Sequence, residues 1–230
     1  MPASASLVRS SGPAEAEAAR SRFSTDGYAL LPGLLTTEGL QVLRQEALRL
    51  EQDARRRDFR MASMGDSPRH MTTLGGQVIA RESALVRALY GDPVLRGVVA
   101  AVTGERPVSV PDVLERHVLN ILHCRGDTHG AHTDDYPYAL VLFIEAHLAP
   151  ADGGLLEYVP RAAALTDLDT DKARTAHHRA GDAYLLRSDT TAHRVAPLTR
   201  PQVCRTVLNF AYTSHTAIPR ATPSARELYG

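Results

Sequence analysis

The spacing of apolar residues divides the chain into a helical first half and a strand-rich second half. In one early segment the apolar positions recur every three or four residues: Leu40, Leu43, Ala47 and Leu50. This period places them on one face of a helix, which we predict from Thr36 or Thr37 to about Asp58. The pattern also predicts a short helix over 14–22 and a pair of helices near 80–103.

Local signals add detail to the helical half. Asp92 followed by Pro93 is typical of an N-cap with proline at the first helical position. The run Arg55–Arg57 is expected at the C-terminal end of the long helix, where cations complement the helix dipole. Helical segments near 60–80 are expected to act as a lid, with glycines that could serve as hinges: Gly65, Gly75 and Gly76.

After Pro111 the pattern changes to apolar runs separated by Gly, Pro and Asp turns. Tyr28–Leu31 and five later runs are predicted strands: 113–124, 138–145, 154–159, 182–187 and 203–213. Helices followed by a series of strands indicate an α+β fold, with helices packed on a sheet or barrel. We expect a loose N-terminal tail over 1–13 and a single domain over 14–230.

Composition narrows the possible partners. The 26 Lys and Arg residues balance 26 Asp and Glu residues, so the formal net charge is zero. A neutral protein has no strong field to draw nucleic acid or a membrane surface, and a small-molecule substrate is expected. Cys124 and Cys204 lie in apolar runs without a Cys-x-x-Cys pair, so we expect buried free thiols, no thiolate zinc site and a cytoplasmic location. No apolar stretch approaches the length of a membrane span.

The first chemical signal is His132 with Asp134, in the segment GAHTDDYPYALVLFIEA. Residues two apart on a strand point to the same face, so this imidazole and carboxylate can aim at one point. One further ligand would complete two histidines and one carboxylate, a set that suits Fe(II) and leaves positions open for other ligands. Alone, a His-x-Asp pair arises often by chance.

The second signal lies in LLRSDTTAHRVAPLTRPQVCRTVLNFAYTS. His193 follows a predicted strand and a polar turn, and Arg205 stands 12 residues later at the start of an apolar strand. A buried arginine is costly unless it meets an anion, and a dicarboxylate would supply one through a bidentate pair. A structural Asp or Glu partner for Arg205 is the alternative. The same three ligands would also suit a zinc hydrolase, although hydrolysis needs no dicarboxylate clamp.

In combination, these motifs resemble the iron(II)- and 2-oxoglutarate-dependent oxygenases. The opening segment RFSTDGYALLPGLLTTEGLQVLRQEA, residues 22–47, is similar to the start of the phytanoyl-CoA dioxygenase-like branch. The resemblance implies a double-stranded β-helix (a jelly-roll, cupin-like core) with N-terminal helices packed on one sheet. It implies Fe(II) held by His132, Asp134 and His193, 2-oxoglutarate held by Arg205, and O2 as the third reactant.

A closer resemblance is to the lysine radical halogenases and their hydroxylase relatives, which act on free amino acids. It implies a substrate-binding set: Arg69, Glu115, His129, Asp135 and Asn209. Arg69 would meet the substrate carboxylate, and Glu115 and Asp135 would meet ammonium groups. The alternatives are a solvated strand residue for Glu115, a loop residue for His129, and a turn cap or a support for His132 in the case of Asp135.

Two departures from that group shape the functional expectation. In the halogenases a small residue replaces the carboxylate ligand and opens a place for chloride, whereas this chain retains Asp134. The resemblance therefore implies hydroxylation of a C–H bond of a free amino acid or a derivative. The chain also has no Trp where the lysine enzymes pack tryptophans on the substrate, and Leu228 and Tyr229 occupy that stretch.

Several alternatives stay open at this point. A larger or carrier-tethered substrate would need a basic docking patch near the pocket. Halogenation or desaturation could replace hydroxylation as the outcome, and a silent binding barrel would have no reason to keep all four site residues. A homodimer is also left open.

Overall fold

A computed structural model describes residues 6–146, 149–217 and 224–229. These residues contain seven α-helices: α1 (Pro13–Asp26), α2 (Thr37–Glu51), α3 (Gly76–Glu82), α4 (Ala84–Tyr90), α5 (Pro93–Thr103), α6 (Val113–Arg116) and α7 (Ser224–Tyr229). Short 3₁₀ turns occupy Ala62–Met64, Pro150–Asp152 and Leu165–Asp169. The helices of the first half are interrupted by strands that the apolar pattern does not predict.

The described part of the chain has twelve strands. They are β1 (Tyr28–Leu31), β2 (Arg55–Met61), β3 (Ser67–Leu74), β4 (Val108–Ser109), β5 (His117–Leu122), β6 (Thr128–His132), β7 (Tyr138–Ala146), β8 (Leu156–Val159), β9 (Arg174–Ala176), β10 (Ala183–Arg187), β11 (Ala192–Val195) and β12 (Arg205–Thr213). They join in the order β1-β10-β7-β12-β5-β3-β6-β11-β8-β9, with β2 on β3 and β4 on β12. The neighbouring strands pair antiparallel, and the sheet curls.

Alternation along β7 shows how the curled sheet separates two apolar layers. Leu140, Leu142 and Ile144 belong to the large core that includes the buried residues of α2 and α5. Val141 and Phe143 point the other way, into a second cluster with residues of β8 and β10. The period of two thus gives β7 a helix-covered face and a concave face, and the concave face is the one beside the candidate site. The α+β class and the jelly-roll core with helices on one sheet are confirmed.

The helix predicted to run to Asp58 ends at Glu51. Its start is as predicted, because the Thr36 hydroxyl accepts a hydrogen bond from the Gly39 amide at 2.9 Å. Arg55–Arg57 belong to β2 instead of a helix end, and they pair with β3. The sequence RRRDFRM alternates too weakly in hydrophobicity to reveal a solvent-facing edge strand, so the helical extension was wrong.

The predicted helical lid over 60–80 is also wrong. The central part of that range, Ser67–Leu74, is β3, an interior strand bonded to β5 and β6 as well as to β2. An interior strand cannot swing away without breaking its ladders. Only Gly76 begins a helix there, and a Cβ added at Gly75 would lie 2.8 Å from Cβ of Tyr229. Gly75 is therefore a place of close packing against α7.

Other boundaries differ by smaller amounts. The strand predicted over 113–124 begins at His117, because the Asp112 carboxylate caps the short helix α6 by accepting from the Leu114 amide at 2.8 Å. The remaining predicted strands shift by one or two residues. Asp92 caps α5 by accepting from the Leu95 amide at 2.9 Å, with Pro93 at the first helical position, which confirms that prediction.

Part of the segment interpreted as a loose tail is packed on the domain. Val8 is buried and forms a β-bridge with Leu35, and the Arg9 amide donates to the Leu34 carbonyl at 3.0 Å. Pro13 already belongs to α1. Residues 1–5 of the predicted tail lie outside the described residues.

The prediction that both cysteines are buried is wrong. Both thiols are free, but Cys124 is exposed after the end of β5 and Cys204 is half-buried before β12. Each lies just outside its strand, where the apolar run gives way to a turn. Among the described residues, no helix is long and apolar enough to cross a membrane.

Candidate metal centre and substrate cavity

Two neighbouring strands bring the predicted histidines together. His132 is the last residue of β6, and the register places it directly opposite His193 of β11. Asp134 lies beyond the strand end, so it does not share the strand face that its spacing suggested. Instead its amide donates to the Ser188 carbonyl at 2.9 Å, and this bond turns the loop so that the carboxylate faces both imidazoles.

The three side chains can hold one metal ion. Their ligand atoms all lie within 4.8 Å of one another. Asp134 Oδ1 is 3.6 Å from His132 Nε2 and 3.9 Å from His193 Nε2. Two ligand atoms bound at about 2.1 Å to one ion lie at most about 4.2 Å apart, so both separations fit a shared ion.

Backbone carbonyls fix the two imidazoles. His132 Nδ1 donates to the Gly130 carbonyl at 2.7 Å, and His193 Nδ1 donates to the Thr191 carbonyl at 3.0 Å. With the proton held on Nδ1, each Nε2 keeps its lone pair for a metal. Burial, and next the charges of His193 and His129, hold the pKa of His132 well below its ordinary value, so its imidazole is neutral. Burial also raises the pKa of the Asp134 carboxyl, an effect that a bound cation would oppose.

A small cavity opens beside these ligands. It collects four of the five predicted substrate residues (Arg69, Glu115, His129 and Asn209) together with His132, Asp134 and residues of α7. Space for water in it amounts to only about 40 Å³. Asp135 is buried but does not line the cavity; its charge acts on Glu115 from behind. The structure thus gathers side chains as far apart in the sequence as Arg69 and Tyr229 into one site.

Arg69 is a buried cation with spare hydrogen-bonding capacity. It is 1% exposed, and Nη1 donates to Ser67 Oγ at 2.8 Å. Its Nε has no hydrogen-bond partner among the described residues. Burial lowers the pKa of Arg69 to about 10, with the charges of Tyr229 and Asp134 opposing that shift. At neutral pH the guanidinium stays charged, and an anion in the cavity would relieve its desolvation.

Glu115 supplies a carboxyl group to the same cavity. It lies on α6 instead of the predicted strand, and burial, followed by the nearby charges of Asp135 and Asp134, raises its pKa to about 8. A carboxyl held near other carboxylates favours a cationic partner such as an ammonium group. The solvated alternative for this residue is therefore not supported.

Two further polar groups complete the cavity. The Oδ1 atom of Asn209, on β12, is buried and has no partner among the described residues. His129 stacks on His132 with ring centroids 4.1 Å apart and pairs in register with Arg69. The cavity therefore offers an unused donor, an unused acceptor, a buried cation and a carboxyl group close to the metal ligands.

Residues of α7 close this cavity. Leu228 and Tyr229 line it. Burial raises the pKa of the Tyr229 phenol, so it stays protonated. The resemblance to the lysine enzymes indicated Leu228 and Tyr229, because they occupy the stretch where those enzymes have tryptophans. Neither spacing nor periodicity in the sequence predicts that the pair covers the cavity.

Arg205 lies on the concave face, apart from the cavity. It is 3% exposed at the start of β12, its Cζ is 4.9 Å from the centroid of Phe143, and it interacts electrostatically with Tyr184. Burial lowers the pKa of Arg205, and the described residues include no carboxylate in salt-bridge contact with it. A structural Asp or Glu partner is thus not found, and the buried cation fits a dicarboxylate ligand.

The curled antiparallel sheet, the His–Asp–His cluster and the buried arginine define a class, the iron(II)- and 2-oxoglutarate-dependent oxygenases. Within that class, a family model described as Halogenase D matches residues 12–227, and the chain belongs to this family. The resemblance inferred from the sequence is confirmed. Among curated proteins, no sequence matches the chain.

Solved structures agree on the fold. The α-ketoglutarate-dependent epimerase SnoN from nogalamycin biosynthesis superposes with a TM-score of 0.71 at 19% identity, covering 95% of this chain and 89% of SnoN. AviO1 from Streptomyces viridochromogenes Tue57 gives 0.67 at 18% identity, covering 95% of this chain and 100% of AviO1. HygX from Streptomyces hygroscopicus, solved with nickel and 2-oxoglutarate, gives 0.63 at 16% identity, covering 91% and 92%.

Proposed function

We propose that the protein is a dioxygenase that hydroxylates an unactivated C–H bond of a free amino acid or an amino-acid-derived small molecule. The observation that carries this proposal is the complete ligand set of His132, Asp134 and His193 beside a cavity that contains a buried guanidinium and a carboxyl group. Iron bound by these ligands supplies the activation of O2 and of the 2-keto acid. In the overall reaction, substrate, O2 and 2-oxoglutarate give the alcohol, succinate and CO2.

The side chains of the cavity support an amino acid as substrate. Arg69, with its unused Nε donor, suits the substrate carboxylate. Glu115 and the unused Oδ1 of Asn209 suit an ammonium group. Groups that grip both charged ends would hold one carbon of the substrate facing the metal, and holding reactants in this way is a large part of catalysis.

Asp134 decides between hydroxylation and halogenation in this proposal. A carboxylate on the metal occupies the position where a halide would have to bind. The family name therefore describes relatives, whereas the ligand set of this chain supports oxygen insertion. SnoN is an epimerase, and desaturation or ring formation needs the same ligands, so product analysis has to separate these outcomes.

The testing experiment has two stages. Oxygen-free protein receives Fe(II) and 2-oxoglutarate, and the metal-to-ligand charge-transfer absorption is recorded. Air is then admitted with a panel of free amino acids, and succinate and products with one added oxygen atom are quantified. His193→Ala, which removes one ligand, and Arg205→Ala, which removes the dicarboxylate clamp, are the matched controls.

We expect absorption in the wild type, its loss in His193→Ala, and succinate formation coupled to one class of amino acid. Absorption without any coupled amino acid would reject the substrate class and keep the cofactors. No absorption, in a wild type that behaves like Arg205→Ala, would reject the oxygenase assignment.

A larger or carrier-tethered substrate is the second candidate, and one feature favours it. A cleft of about 910 Å³ lies beside the centre and shares Thr133 with the small cavity. Arg20, Arg161 and Arg187 line it, although Arg187 pairs with Asp189 at 3.0 Å and Arg161 donates to carbonyls of α1. These cations supply the basic patch that an anionic tether would need.

This candidate is tested with the same amino acid presented free and as a carrier thioester. A preference for the thioester that falls in Arg20→Glu, with the free amino acid unaffected, would favour the tethered substrate. Equal use of both forms would reject it. The homodimer and the cytoplasmic location stay predictions.

A further inference from the structure

The concave face holds a histidine that the proposed mechanism does not yet use. His178 lies between β9 and β10 and is 4% exposed. Its ring stacks on Phe143 with centroids 4.4 Å apart and an interplanar angle of 14°, and its centroid is 4.9 Å from that of Tyr184. Neither periodicity nor spacing in the sequence indicates that this histidine is part of the interior.

His178 and Arg205 share the same two aromatic neighbours. The Arg205 guanidinium lies 4.9 Å from the Phe143 centroid and interacts electrostatically with Tyr184. The positive charge of Arg205 also contributes, after burial, to a lowering of the His178 pKa to about 3. The two side chains therefore lie close together, and the imidazole beside the guanidinium is neutral.

A hydrogen bond fixes which ring nitrogen is available. His178 Nε2 lies 3.0 Å from the Tyr28 hydroxyl, which is buried. Burial raises the pKa of Tyr28, so the phenol keeps its proton and needs an acceptor. Because Nε2 supplies that acceptor, the imidazole proton belongs on Nδ1, which becomes a neutral donor. Tyr28 in turn stacks on Tyr158 with centroids 4.8 Å apart, which holds the phenol in place.

We propose that His178 is a second binding residue for the cosubstrate, donating from Nδ1 to the distal carboxylate of 2-oxoglutarate beside Arg205. This inference rests on the proposed function. A carboxylate has two oxygens and about four acceptor positions. A bidentate pair with the Arg205 guanidinium fills about two of them, so further donors can bind. A neutral donor adds a hydrogen bond without adding a second buried positive charge, and Tyr28 is the positioning residue that sets its tautomer.

Binding of two 2-keto acids to the oxygen-free Fe(II) protein tests the proposal. The charge-transfer absorption is titrated with 2-oxoglutarate and with 2-oxobutyrate, which lacks the distal carboxylate. His178→Phe keeps a ring that can stack on Phe143 but removes the donor. The neighbouring His177→Asn is the matched control, and His178→Asn restores an N–H near the Nδ1 position.

We expect His178→Phe to raise the Kd of 2-oxoglutarate by roughly tenfold, the effect of losing one hydrogen bond to a charged group. The Kd of 2-oxobutyrate should not change. His178→Asn should recover part of the loss, Tyr28→Phe should weaken 2-oxoglutarate less than His178→Phe does, and His177→Asn should match the wild type.

Two results would overturn the proposal: unchanged 2-oxoglutarate binding in His178→Phe, or equal weakening of both keto acids, which would mean packing alone. Arg205→Ala separates this failure from a failure of the proposed function. If the wild type prefers 2-oxoglutarate and Arg205→Ala removes that preference, the cosubstrate assignment holds whatever His178 does. If the wild type shows no absorption with either keto acid, the proposed function itself fails.

Discussion

Asp134 is held in place by its backbone, and its side chain is left for the metal. The hydrogen bond from the Asp134 backbone amide to the Ser188 carbonyl, at 2.9 Å, does not depend on the carboxylate. Asp134→Gly should therefore keep the loop and the fold while it removes one ligand. Substituting residues that merely support a metal ligand costs up to about 100-fold, so hydroxylation should fall by at least roughly that factor.

The same variant is expected to admit a halide beside the two histidines. Mass spectrometry of reactions in chloride buffer would show chlorinated product from Asp134→Gly. Asp134→Asn is the control, because its amide fills the same space and leaves no room for chloride. Hydroxylation at the wild-type rate in Asp134→Gly would show that Asp134 is not a ligand.

Glu115 makes stability depend on pH in the metal-free protein. Its folded pKa of about 8 exceeds the ordinary value of 4.5, so the folded state binds the proton more tightly than the unfolded state. The stabilisation is fully present below about pH 4.5 and is lost as pH rises through 8. Glu115→Gln stays neutral, and its advantage in Tm over the wild type should grow between pH 5 and pH 9.

Thermal unfolding across that range, with chelator present, measures the difference. A Glu115→Gln advantage that is constant or shrinks with rising pH would contradict the burial of this carboxyl.

At the scale of elements, one ion pair ties the edge strand β2 to the loop before β6. Arg56 donates to both oxygens of Asp127, at 2.9 and 2.7 Å, and the Asp127 carboxylate also accepts from the amides of His123 and Cys124. The Asp127 side chain is 1% exposed, whereas Asp58, the other partner of Arg56, is 53% exposed. The two carboxylates should therefore differ in their effect on stability.

Asp127→Ala should lower the free energy of unfolding by about 2–3 kcal/mol, because it leaves two amides and a cation without their acceptor. Asp58→Ala should cost less than about 1 kcal/mol, as exposed ion pairs do. Denaturant titration of both variants gives the comparison. Equal costs would mean that β2 is held to the domain by its ladder with β3 alone.

The errors in predicting elements have physical causes. The periodicity of α2 identified its buried face correctly, since burial on one side is what creates the period. β2 escaped notice because its side chains are mostly exposed, and an edge strand needs little apolar alternation. The prediction merged α6 with β5 because a single capping carboxylate, that of Asp112, determines that the four residues of α6 are helical.

At the scale of the whole molecule, the cavity is too small for the substrate it is proposed to bind. Ligand sites usually measure a few hundred Å³, and this one offers about 40 Å³ for water. Because the hydrogen-bonded strands β3, β6 and β12 line it, α7 is the element that has to shift. We predict that the amides of α7 exchange with solvent hydrogen faster than those of β12 and become protected when substrate binds.

Hydrogen-exchange mass spectrometry with and without Fe(II), 2-oxoglutarate and substrate measures this protection. Tyr229→Ala, which opens the cavity, should show less protection and a higher KM, whereas Tyr229→Phe should resemble the wild type. Protection of α7 equal to that of β12 in the free protein would contradict the prediction.

The candidate site was predictable where spacing reflects geometry and not elsewhere. Three of the predicted residues lie in strands: His132, His193 and Arg205. Their spacing along the chain therefore reflects the order and lengths of those strands. Tyr229 reaches the cavity from a distant helix, and His178 reaches Arg205 from a connecting segment. No period links such residues to their neighbours, because tertiary packing alone brings them together.

The backbone anchor of Asp134 also bears on how this family could change activity over time. Every codon for aspartate becomes a codon for glycine through one base substitution. Since the loop is held at its amide, that substitution would remove the carboxylate without demanding a compensating change elsewhere. An oxygen-inserting member and a halide-inserting member could thus be neighbours in sequence space, separated by a single mutational step that the fold tolerates.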